Sequence, residues 1–120
     1  MSTFENIPTT IIDYEKGLAR FMGRTELYKK FLTLYPLDET YIEFLQAMEA
    51  SDYETALKAA HALKGSSGNL SLAKIYQNLD DLIGAFRHED TEKIMPLFEE
   101  TKASYEETCA IIASLAENQH

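Results

Sequence analysis

Asp52-Tyr53-Glu54-Thr55-Ala56-Leu57-Lys58-Ala59-Ala60-His61-Ala62-Leu63-Lys64-Gly65-Ser66-Ser67 sets the character of the chain. At about 100° per residue, Tyr53, Ala56, Leu57, Ala60, Leu63 and Ser67 fall on one side. No strand-like alternation competes with that period. The segment therefore predicts a helix over Asp52 to Ser67 with a single core-facing stripe. Ser51-Asp52-Tyr53-Glu54 before it has the spacing of a capping box, in which Ser and Glu satisfy each other's free amides. Gly65 and Gly68 weaken the far end, and Gly68-Asn69 favours termination.

The same period extends outward in both directions. A first helix is predicted over Ile11 to Met22, with Ile11, Tyr14, Leu18, Phe21 and Met22 on one side and Gly23 as its stop. A second runs from Thr25, read as its N-cap, to Ala50, carrying Leu27, Phe31, Leu34, Tyr41, Leu45 and Met48. Pro36 removes a backbone donor inside it and predicts a bend there or two shorter helices. Beyond Asn69, Ser71 is read as the cap of a helix reaching His88, with the stripe Leu72, Ile75, Tyr76, Leu79, Leu82, Ile83 and Phe86. Asp90 is read as the cap of the last, Thr91 to Glu117, carrying Ile94, Leu97, Phe98, Thr101, Tyr105, Thr108, Ile112 and Leu115. Fraying is expected from Glu117 to His120. Short connections between long amphipathic helices force neighbours to lie antiparallel. The expected fold is all-α: an antiparallel up-down-up-down four-helix bundle with an additional short N-terminal helix, one domain over residues 1–120.

Composition narrows the function. The net charge of −9 and pI near 4.7 argue against nucleic acid and anionic membrane as partners. No apolar run approaches the ~18 residues of a membrane span, and Met1 to Thr10 lacks a basic segment followed by an apolar one. A cytoplasmic protein without membrane insertion is expected. Cys109 is the only cysteine and follows an apolar pattern into Ala110, Ile111 and Ile112, which suits a packed, inert thiol. Of the three histidines, His61, His88 and His120, none pairs at helical ligand spacing, so no metal site and no cofactor is expected. Asp80-Asp81, Glu99-Glu100 and Glu106-Glu107 read as solvated helix faces, and His88 as a residue favoured by a helix C-terminus.

His61 stands apart. On the helical wheel it lies roughly 110° from the centre of the core arc, at the edge of the solvent face. Lys58 and Lys64 flank it at i−3 and i+3, spacings at which helical side chains meet. Gly65, one turn on, leaves the approach to the imidazole open. From Thr55 to Leu79 there is no Asp or Glu, but there are three lysines, Lys58, Lys64 and Lys74, on a chain with twenty acids. Imidazole is a good nucleophile when neutral. Ammonium groups offset the charge of a bound phosphoryl, and missing acids spare an incoming phosphate from repulsion. The plainer alternative is a surface histidine among solvated lysines.

Ala60-His61-Ala62-Leu63-Lys64-Gly65-Ser66-Ser67-Gly68-Asn69-Leu70 closely resembles the motif of histidine-containing phosphotransfer (HPt) domains, in outline A-H-x-L-K-G-[SA]-[SA]-x-x-[LIV]-G. Ile12-Asp13 through Leu18-Ala19-Arg20, and Ala47 to Leu57, are similar to the family's first helix and to its lead-in to the histidine helix. The resemblance implies a four-helix bundle that relays phosphate between receiver domains of two-component signalling. It implies His61 as phosphoryl acceptor and donor, Lys64 as a contact to the phosphoryl oxygens and Gly65 as the open approach, with Lys58, Ser67 and Gly68 in support. The implied partners are response-regulator receiver domains and a hybrid sensor kinase, the receiver supplying Mg2+, with the carrier a monomer. Two positions depart from the pattern. Ser71 stands where glycine is usual, and Ile83 where a Gln or Glu near the histidine is common; Gln77 or Asn78 is then a candidate to orient His61. No nucleotide-binding loop is present, since Leu63-Lys64-Gly65-Ser66-Ser67-Gly68 lacks the G-x-x-x-x-G-K-[ST] order, so no ATP-dependent kinase activity is expected. A chain opening on Met fits a complete small protein. The alternatives are a histidine-bearing domain excised from a hybrid or chemotaxis-type kinase, or a helical interaction module without phosphotransfer.

Overall fold

The computed structural model describes residues 7–117. Six α-helices are found among them: α1 Tyr14–Arg20, α2 Thr25–Leu34, α3 Thr40–Glu49, α4 Tyr53–Asn69, α5 Ala73–Arg87 and α6 Thr91–Glu117. The described residues contain no strand. Pro36 divides the predicted second helix: a 3-10 turn, Tyr35–Leu37, separates α2 from α3 because proline cannot donate to the α-helical ladder. The first helix is shorter than expected. Asp13 caps it, accepting from the Lys16 amide at 3.2 Å, so it begins at Tyr14 and not at Ile11, and it ends at Arg20. The fraying expected at the C-terminus falls on residues outside the described range, apart from Glu117.

Chain reversals follow one pattern. After α1, α3, α4 and α5 a residue turns left-handed: Met22 (φ 55), Ser51 (φ 56), Ser71 (φ 56) and Glu89 (φ 52). The next amide then bonds back five residues: Gly23 to Leu18, Asp52 to Ala47, Leu72 to Ser67 and Asp90 to Ala85, at 2.8–2.9 Å. This closure satisfies carbonyls left free at helix ends, and glycine is its least costly occupant. Two predicted caps are corrected by it. Ser51 sits in the turn and forms no capping box with Glu54; Asp52 caps α4 instead, accepting from the Thr55 amide at 3.2 Å. Ser71 does not cap α5, whose N-cap is Leu72 with no side-chain bond. Likewise Thr25 is the first residue of α2, after Arg24.

Ser71 carries a second cost, because its buried hydroxyl finds no hydrogen-bond partner. Ser71→Gly is expected to stabilise the protein by about 1 kcal/mol, relieving the left-handed strain and the unpaired hydroxyl. Thermal unfolding checks this; a lowered midpoint would assign the hydroxyl a stabilising role.

Packing is most extensive between α3 and α4, α4 and α5, and α5 and α6, with α2 touching α6. The long axis of 45 Å is close to the ~40 Å that a helix as long as α6 spans. Leu72, Ile75, Leu79, Leu82, Ile83, Ile94, Phe98, Ile112 and Leu115 are buried, as the stripes predict. In α2 the buried face is turned by one residue. Tyr28, Leu32 and Tyr35 are inside, whereas Phe31 and Leu34 are exposed. Interior hydrogen bonds settle that choice: Tyr28 Oη donates to the Leu70 carbonyl at 2.7 Å, and Tyr35 Oη meets Ser67 Oγ at 2.7 Å. A buried tyrosine with its hydroxyl satisfied contributes more apolar area than a leucine.

The N-terminal segment is pinned to the corner between α4 and α5. The Asp13 amide bonds to the Ser71 carbonyl at 2.9 Å, and Ile12 is buried. Burial of the tyrosines has a consequence in alkali. Tyr28, Tyr35 and Tyr105 are held well above the ordinary tyrosine value, mainly by desolvation, and Tyr41 is pushed up to about 12 from 10.0. A raised folded value means their stabilising contribution is complete below the unfolded value and is lost as pH rises from 10 towards 12 and above. Phenolate absorbance from these four rings should therefore rise together with loss of helical circular dichroism. Ionisation of all seven tyrosines near pH 10 with the helices intact would contradict the burial.

Candidate functional site

Ala59, Ala60 and Leu63 hold one face of α4 in the core, which leaves His61 exposed on the other. The imidazole meets α5: Nε2 of His61 is 2.5 Å from a terminal nitrogen of Arg87. A guanidinium only donates, so Nε2 is the acceptor and the ring proton sits on Nδ1. Neither Gln77 nor Asn78 orients His61. Gln77 donates to Asp81 at 3.0 Å, and the Asn78 side-chain oxygen is buried without a partner. Ile83 belongs to the core. Arg87 lies one turn beyond it on α5 and does the positioning instead.

Lys64 is half-covered and donates to Asp80 at 2.7 Å, with its ammonium 5.4 Å from the centre of the Tyr76 ring. The Asp80 hydrogen bond is the main influence raising its pKa, so it stays charged. The acid-free stretch in sequence is thus not acid-free in space. Lys58 faces Glu54 at 3.8 Å, Lys64 faces Asp80, and Lys74 bonds Glu107 at 2.9 Å. Each lysine of the island has an acid brought to it by its own helix or a neighbouring one.

The two glycines of the motif differ in role. A methyl built on Gly65 meets no atom of the chain within 4 Å, so the space one turn beyond His61 is open. A methyl on Gly68 would stand 3.1 Å from the Tyr76 ring, so Gly68 lets that ring pack on α4. Ser67 is fully buried and serves the Tyr35 hydrogen bond rather than the surface. Gly84 on α5 also has open space around it, between Asp80 and Arg87 on the same helix face. Arg87 and Gly84 were not singled out in the sequence, and Asp80 was read only as part of a solvated helix face. An antiparallel pairing of α4 with α5 would have brought all three opposite His61 and Lys64.

His61, Lys64 and Gly65 line a cavity of about 650 Å³ that reaches across to Lys16 and Arg20 of α1. A second, more apolar groove of about 560 Å³ adjoins it, sharing Arg20 and Asn69 and lined by Phe21, Phe31 and Leu34. Among the described residues no three His, Cys, Asp or Glu side chains gather closely enough to hold a metal ion. No described helix is long and apolar enough to cross a membrane. Cys109 is half-buried, and desolvation raises its pKa, which keeps it a thiol. No protein-family model, curated protein or solved structure matches this chain.

Proposed function

We propose that the chain is a phosphorelay carrier of the HPt type. His61 takes a phosphoryl group from the aspartyl phosphate of one receiver domain and passes it to another. The observation that carries this reading is the exposed His61 ring, its Nε2 met by Arg87, with Lys64 lining the same cavity and open space at Gly65. Helices α3 to α6 are read as the up-down-up-down bundle, joined by connections of three residues each. Helix α1 is the additional N-terminal element.

Transfer is an in-line displacement. The Nε2 lone pair attacks phosphorus, the bond from phosphorus to the aspartyl oxygen breaks, and the carboxylate leaves with the electron pair. No proton has to move, because the ring already carries its hydrogen on Nδ1. Arg87 must release Nε2 as the donor arrives, and its amino groups then face the phosphoryl oxygens. Lys64 exchanges Asp80 for the same oxygens. The receiver supplies the divalent cation and most of the charge stabilisation. The reverse reaction delivers the group to a second receiver.

The test is incubation with phosphorylated receivers of two-component systems. A phosphate that is acid-labile and base-stable should appear on this chain. Its absence with every receiver tried would favour a binding module without transfer, for which the exposed Phe31, Leu34, Leu37 and Ile42 offer apolar contact.

A further inference from the structure

The chain has twenty acidic residues against eleven Lys and Arg, so its cations have many acids to pair with, and Lys58, Lys64, Lys74, Lys93 and Lys102 do so. Around His61 most cations are engaged: Lys64 with Asp80, Lys58 with Glu54, and Arg87 with the imidazole. Lys16 and Arg20 differ. Both are exposed, both line the His61 cavity, and among the described residues neither has an acid within ion-pair distance. They stand at i and i+4 of α1, one turn apart on one face, where like charges repel. Asp13 also lines the cavity, but its carboxylate accepts from the Lys16 amide as the helix cap. The tie between the Asp13 amide and the Ser71 carbonyl fixes α1 beside the histidine helix.

We propose that Lys16 and Arg20 form a charge-selective docking site for carboxylates on the partner that donates to His61. The inference rests on the phosphotransfer reading and adds the chemistry of the surface that docks. Two exposed cations without acid partners are complementary to carboxylates on an approaching face. The net charge of −9 would repel that face at long range. Two uncompensated cations beside the nucleophile give approach one favourable orientation and raise the association rate. Because they lie on α1 and not on the helices that carry His61 and Arg87, they act on docking rather than on the transferred group.

The experiment compares wild type with the double variants Lys16→Gln/Arg20→Gln and Lys16→Glu/Arg20→Glu in transfer from a phosphorylated receiver. The expected second-order rate falls about tenfold for the neutral pair and further for the reversed pair. Its salt dependence flattens, while single-turnover transfer at saturating receiver keeps the wild-type rate. Phosphoramidate, which has no docking surface, should phosphorylate His61 equally in all three proteins. An unchanged second-order rate and salt slope overturns the docking role and leaves the carrier reading standing. An equal loss with phosphoramidate also overturns it, since the two cations then act on the phosphoryl group. Wild type that accepts phosphate from phosphoramidate but from no receiver removes the receiver reading and this inference together.

Discussion

His61→Gln is expected to abolish phosphoryl acceptance from any receiver, by at least about a thousandfold, with the fold unchanged. The amide side chain offers no nucleophilic lone pair of comparable strength. The substitution lies on the exposed face of α4, so it removes no core contact. Thermal unfolding should stay within about 0.5 kcal/mol of wild type, as for surface changes generally. Residual labelling that is acid-labile and equal to wild type would place the acceptor elsewhere. Arg87→Ala separates positioning from nucleophilicity. Losing the hydrogen bond at 2.5 Å frees the ring and removes the guanidinium donors, so transfer should slow roughly tenfold to a hundredfold without being lost. A wild-type rate in that variant would make the contact incidental.

Gly17→Ala should be the most damaging small change to stability. A methyl there would overlap the hydroxyl and ring of Tyr28, which is fully buried and hydrogen-bonded to the Leu70 carbonyl at 2.7 Å. Tyr28 cannot turn aside without leaving that carbonyl unpaired in the interior. Overpacking and the lost bond together should cost about 3 kcal/mol, well above the ~1 kcal/mol that alanine gains over glycine in a helix. The melting midpoint should drop roughly 10 °C. Adding Tyr28→Phe should recover part of the loss by removing the hydroxyl. A single variant as stable as wild type would mean that α1 packs elsewhere. The same substitution should weaken receiver docking, because Lys16 and Arg20 ride on the displaced helix.

Much of the helical layout was legible in the residues. The stripe Leu72 to Ile83 and the run Ile94 to Leu115 repeat at helical spacing, and burial mostly follows that spacing, although Tyr53 and Tyr76, also read into core stripes, are exposed. Pro36 marked its own break because a missing amide is a local fact. Helix α2 was misjudged because two apolar faces lie side by side: Leu27, Phe31 and Leu34 against Tyr28, Leu32 and Tyr35. Periodicity ranks them equally; only the carbonyl of Leu70 and the hydroxyl of Ser67 select the second. Ser51 and Ser71 looked like caps because serine favours that role, yet the backbone closure of the preceding helix claimed both first.

At the candidate site the division falls in the same place. Sequence alone determined that His61 lies off the core face, with Lys64 and Gly65 within one turn, because those relations are set by helical pitch. Only the tertiary structure decided what touches the imidazole. Arg87 is 26 positions away along the chain, and Asp80 reaches Lys64 across 16, distances that helical periodicity cannot bridge. Helix α5 lying beside α4 brings those charges together, since side-chain electrostatics depend on separation in space and not along the chain.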